Sequence, residues 1–113
     1  MTTIWHNPRC SKSRQALALL EERGAKITIR RYLDEPPTLT ELQDAQSKLG
    51  LPAIDMIRTG EAVFKEMGLS KSDPDETLLK AMSEAPKLIE RPVVFSGDRA
   101  IIARSPEKAL DIL

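Results

Sequence analysis

The sequence predicts an α/β fold: a mixed four-stranded sheet in the order β-α-β, a helical middle, then β-β-α. Three observations carry this reading. A short β-prone run at Thr2–Trp5 and an alternating run at Lys26–Tyr32 are separated by a helix-patterned segment. The middle, about 38–86, is punctuated by capping residues, prolines and glycines at helical intervals. Two further β-prone runs flank Gly97-Asp98 near the end, as in a hairpin.

Each element has a local reason. Asn7-Pro8 breaks the first strand, and Cys10-Ser11 opens a helix whose apolar face is Ala16, Leu17 and Leu20. Gly24 stands where a glycine stops a helix. In the second strand Ile27 and Ile29 alternate with polar neighbours, and strand-helix-strand at this spacing predicts a parallel crossover. Thr38-Leu-Thr-Glu41 is a capping box, after which Leu42, Ala45 and Leu49 run at helical spacing to Gly50. Residues 52–68 read as short helices broken at Thr59-Gly60. Asp73 is the expected cap of a further helix, with Pro74 at its first position and Leu78, Leu79 and Met82 on its buried face. Pro92–Ser96 and Arg99–Ala103 form the hairpin. Ser105-Pro106 starts a last helix carrying Ala109, Leu110 and Leu113. The thioredoxin-like fold is one small architecture with this order, here as one domain over 1–113 with a helical insertion.

Composition narrows the function. At 113 residues the chain suits one domain. A domain of that size buries roughly two-thirds of its unfolded surface, so it needs no disulfide or metal to fold. Seventeen basic residues balance seventeen acidic ones, which argues against a nucleic-acid or membrane-surface binder. No run of about 18 apolar residues suggests a membrane span, and no secretion signal opens the chain. A cytoplasmic location is expected, where a lone thiol stays reduced. With one cysteine and one histidine, no metal site is expected and no internal disulfide can form.

That cysteine has a marked setting. His6-Asn-Pro-Arg-Cys10-Ser-Lys-Ser-Arg14 holds three cations and no acid. A sulfur at a helix start faces unpaired backbone N–H groups and the positive end of the helix dipole. Both favour thiolate, as do nearby cations, and the same N–H array suits an oxyanion. A lone cysteine is commonly a small buried hydrophobe. A strand-to-helix turn among Arg9, Lys12 and Arg14 is a poor place for one. His6 either supports the thiolate from the strand end or is a capping or surface histidine. Ser13 occupies the second-cysteine position of a C-x-x-C motif. It can donate a hydrogen bond to sulfur but cannot form a disulfide, so an oxidised Cys10 needs an external thiol.

His6-Asn-Pro-x-Cys10-x-x-Ser13-Arg14 resembles the opening of the glutaredoxin-dependent arsenate reductases, the ArsC family. Tyr32-Leu-x-x-Pro36-Pro37, Arg58, Ile89-x-Arg91-Pro92-Val-Val, and Arg104 with Ala109-Leu-Asp-Ile-Leu113 continue the likeness over nearly the whole chain. The resemblance implies a thioredoxin-like fold and reduction of arsenate to arsenite through Cys10, supported by His6 and Ser13, via a covalent Cys–As adduct. It implies that Arg58, Arg91 and Arg104 bind the oxyanion, that Arg91-Pro92 is cis, that glutathione is the reductant co-substrate and that glutaredoxin is the partner. No bound cofactor is implied. Planar, permanently charged guanidinium groups match a tetrahedral oxyanion. On their own, these arginines read as solvated surface residues. Ser11 and Lys12 are bulkier and more basic than the small neutral pair associated with detoxifying members. Two alternatives share the fold. An Spx-like regulator would bind the RNA polymerase α-subunit, but such proteins use a C-x-x-C switch that Ser13 breaks. A monothiol glutaredoxin-like transferase would use Cys10 and Ser13 to hold glutathione or an iron–sulfur cluster.

Overall fold

The computed structural model describes residues 2–113 and divides the chain into two compact units. One joins the segment ending at Glu35 to Arg91–Leu113; the other is Pro36–Glu90.

The first unit holds the sheet. Strand β1 is Thr2–Trp5, helix α1 Ser11–Glu22, β2 Ile27–Arg30, β3 Val93–Ser96 and β4 Arg99–Ile102. The strands lie in the order β2-β1-β3-β4. Strands β1 and β2 are parallel, with Ile4 opposite Ile29; β3 runs antiparallel to β1, with Ile4 opposite Val94, and to β4, with Val94 opposite Ile101. The sheet is therefore mixed, as in the thioredoxin-like fold. Ile4, Ala16, Leu20, Val94, Ala103, Ala109 and Ile112 close one core cluster between sheet and helices. Full burial of an aliphatic side chain such as Leu20 contributes roughly 1.5–3 kcal/mol.

Helix α1 ends as its glycine demands. Gly24 has φ +72°, its N–H bonds Glu21 O at 3.0 Å, and Ala25 N–H reaches Leu20 O at 3.3 Å. This double closure satisfies two terminal carbonyls, and glycine enters the left-handed region without steric cost. Gly97, φ +59°, does the same as the first turn residue of the β3–β4 hairpin.

Strand β2 is shorter than its alternating pattern. Its ladder stops at Arg30, because β1 ends at Trp5, and Arg31–Glu35 turns with Asp34 and Glu35 N–H on Arg31 O. Tyr32 lies in that turn and is buried. The closing helix, Pro106–Ile112, is 3₁₀ rather than α. Three residues per turn bring Ala109 and Ile112 to the core in place of Leu110 and Leu113, and Leu113 is exposed.

The second unit is helical. Helix α2 spans Leu39–Leu49, α3 Ala62–Glu66 and α4 Asp75–Glu84, with 3₁₀ turns at Ala53–Asp55 and Pro86–Leu88. The capping box forms in both directions: Glu41 N–H donates to Thr38 Oγ1 at 3.1 Å, and Thr38 N–H donates to Glu41 Oε1 at 3.0 Å. Helix α4 begins one residue later than the cap pattern places it, with Pro74 at the cap. The Asp73 carboxylate instead accepts from Ser70 N–H at 2.8 Å, closing the preceding turn. Leu42, Ala45, Leu78, Leu79, Met82 and Leu88 are buried. Ile57 and Ile89 form an isolated antiparallel bridge. Among the described residues no helix is long and apolar enough to cross a membrane, and no cluster of three His, Cys, Asp or Glu could hold a metal.

Candidate active site

The sheet register gathers the site within the first unit. The β1–β3 ladder ends at Trp5 opposite Val93, so His6 and Asn7 continue beside the start of β3, where Arg91 and Pro92 stand. Ala103 N–H bonds Pro92 O at 2.9 Å, which carries the β3–β4 register one step beyond Val93 and Ile102. The end of β1, the start of β3 and the end of β4 thus meet at one end of the sheet. The Arg91–Pro92 peptide is cis.

From there the chain turns into α1. Asn7 O accepts Cys10 N–H at 3.0 Å, and Asn7 Oδ1 accepts Arg9 N–H at 3.0 Å. Asparagine initiates such turns by mimicking backbone with its side chain, and Pro8 presets the next dihedral. Cys10 is the N-cap of α1, extended at φ −94° and ψ 122°. A cap normally offers an oxygen to the first-turn N–H groups. Here a sulfur occupies the cap position, and it makes no cap hydrogen bond.

Burial pushes the thiol up, but four other effects outweigh it. They are, largest first, the polarity of the Ser13 backbone amide, the donor character and the charge of the Arg91 guanidinium, and the Lys12 backbone amide. The thiol lies below its ordinary 9.0. The cation that lowers the thiol is Arg91, from the start of β3, whereas Arg14 donates to Pro8 O at 2.9 Å and braces the turn.

Ser13 and His6 are both buried. Ser13 Oγ lies 2.7 Å from His6 Nδ1 and accepts Asn7 N–H at 3.0 Å. The Ser13 hydroxyl therefore serves the strand end rather than the sulfur. Burial lowers the His6 pKa, Arg31 and Arg14 lower it further, and Glu21 opposes them. The ring is neutral near physiological pH. An unfolded chain would protonate its histidine first as pH falls below 6.5, so His6 makes the fold less stable through that window. Thermal melts between about pH 7 and about pH 5 should show a decline that is shallower in His6→Asn. Equal slopes would reject the assignment.

Arg58 belongs to the other unit. Its backbone N–H bonds Leu88 O at 2.7 Å, and its guanidinium binds Glu61 at 2.5 Å and Glu90 at 3.5 Å. Both carboxylates escape a search for anion-binding arginines, which looks for cations alone. Asn7 also escapes it, although the Asn-Pro turn signal marks the residue.

A mixed four-stranded α/β sheet with an activated cysteine capping its first helix defines a thioredoxin-like thiol protein. The ArsC family model matches residues 5–112. An arsenate reductase of Neisseria meningitidis serogroup A is 46% identical over 112 residues, covering 97% of this chain and 96% of that protein. One from Haemophilus influenzae is also 46% identical, covering 97% of each. The structure of an arsenate reductase from Vibrio cholerae superimposes with TM-score 0.95 at 43% identity, covering 99% of this chain and 97% of that one. The chain belongs to the ArsC family.

Proposed function

We propose that this protein reduces arsenate to arsenite, with Cys10 thiolate as nucleophile and glutathione and glutaredoxin as the source of electrons. The observation that carries the reading is the cysteine at the helix cap, its thiol lowered by the first-turn amides and by Arg91. A second observation supports it: Arg91 Nε is buried with no hydrogen-bond partner among the described residues. A buried donor without a partner is costly, and an oxyanion at the thiol would supply the acceptor.

In this reading Arg91 and Arg104 hold arsenate beside the first-turn amides, and Arg58 joins them on its motif alone. Cys10 sulfur attacks arsenic, and one oxygen leaves as water, giving a Cys–S–As(V) adduct. Glutathione replaces a second oxygen, again lost as water. A glutaredoxin thiolate then attacks the glutathione sulfur. The sulfur–arsenic bond breaks toward arsenic, which becomes As(III), and a glutaredoxin–glutathione disulfide leaves. Hydrolysis releases arsenite and restores Cys10. The external thiols follow from there being one cysteine in the chain.

A coupled assay should show turnover with glutathione and glutaredoxin and little with thioredoxin. Equal rates with thioredoxin alone would reject this electron route. Tight binding to the RNA polymerase α-subunit without arsenate turnover would favour a regulator instead.

A further inference from the structure

The backbone brings two carboxylates to Arg58. Around the Ile57–Ile89 bridge, Arg58 N–H bonds Leu88 O at 2.7 Å and Glu90 N–H bonds Met56 O at 2.9 Å, which sets Glu90 beside Arg58. Glu61 arrives through a turn before α3, its N–H on Arg58 O at 3.3 Å. Glu61 Oε1 accepts from Arg58 Nη1 at 2.5 Å, and Glu90 Oε1 lies 3.5 Å from Nε. The two glutamate side chains are only 19% and 17% exposed, so these are not the loose surface pairs that contribute little.

Two of the three guanidinium nitrogens therefore face carboxylates, while Nη2 has no partner among the described residues. A further anion on Arg58 finds a donor there but meets two like charges at close range, which opposes it. Lys87 Nζ, 3.9 Å from the other oxygen of Glu61, offsets part of that excess from an exposed position. We propose that Glu61 and Glu90 are affinity-setting residues: they hold down the affinity of Arg58 for a tetrahedral oxyanion. This rests on the reading that Arg58 joins the oxyanion ligands. Phosphate has the shape and charge of arsenate but no centre that thiols reduce, so tight binding of it would only inhibit. Weakening a contact shared by both anions limits that inhibition and costs arsenate KM alone.

Phosphate binding is to be measured by calorimetry, without arsenate or thiols, in the wild type, Glu61→Gln, Glu90→Gln and Asp44→Asn. Kd for phosphate should fall about tenfold in Glu61→Gln, and less in Glu90→Gln, whose pair is longer. Asp44→Asn removes the same charge from an exposed pair with Lys48 and should leave Kd unchanged. Against Arg58→Ala alone, adding Glu61→Gln should give no gain. Loss of a merely structural ion pair would lower stability and could not tighten binding. Folded Glu61→Gln and Glu90→Gln proteins that bind phosphate as the wild type does, or more weakly, would overturn the proposal. So would a gain that survives Arg58→Ala, or one matched by Asp44→Asn. If Arg58→Ala weakens phosphate binding and the glutamine variants leave it unchanged, the oxyanion reading of Arg58 stands and the role of the glutamates falls. Arg58→Ala with the wild-type Kd removes both.

Discussion

Replacement of Cys10 by serine is expected to lower arsenate turnover by at least about a thousandfold, to the level of the uncatalysed background. The surroundings of Cys10 favour an anion on sulfur: two first-turn amides and the Arg91 guanidinium lower its thiol. A serine hydroxyl in the same place stays protonated, because its intrinsic acidity is far too low for these interactions to ionise it near neutral pH. It also lacks the polarisable sulfur needed to bond arsenic. The helix start tolerates the exchange, serine being a favoured cap. Circular dichroism should therefore match the wild type while the coupled assay reads background. A serine variant with full activity would place the nucleophile elsewhere.

Arg91→Ala is expected to reduce kcat/KM by about 10²–10³-fold, the range for removing one preorganised donor from a developing charge. Two losses combine. The thiol loses the donor and the positive charge that lower it, so its alkylation midpoint should rise. The oxyanion loses a planar donor, so KM for arsenate should rise as well. Arg91→Lys separates them: lysine keeps the charge but not the fork geometry, and should restore thiol ionisation better than arsenate binding. An alanine variant with wild-type alkylation and KM would remove Arg91 from the chemistry.

Local sequence carried the strands, the capping box, the glycine stops and the cysteine at the helix start. Those features depend on residues within a few positions of one another: Thr38 with Glu41, Gly24 with Leu20, Asn7 with Cys10. The order of elements limited the sheet to a mixed arrangement. What local pattern cannot express is which distant residue faces which. Arg9, Lys12 and Arg14 are the obvious cations beside Cys10, but the charge that lowers its thiol is that of Arg91, delivered by the antiparallel register of β3 on β1. The hydroxyl of Ser13 turns toward His6 rather than sulfur, a choice fixed by where the first strand ends. Arg58 and its two carboxylates meet through the Ile57–Ile89 bridge, which no periodicity announces. The shift to 3₁₀ geometry after Ser105 likewise reflects packing of Ala109 and Ile112 into the core.

The position of β3 between β1 and β4 has a bearing on biosynthesis. The ribosome makes Cys10 before Arg91, and the arginine that lowers its thiol stands at the start of the later β3. A nascent chain released only through its middle carries the sulfur and the turn but lacks the guanidinium. Its thiol stays closer to ordinary reactivity while translation continues. The share of thiol lowering that Arg91 supplies thus awaits the docking of β3 beside β1.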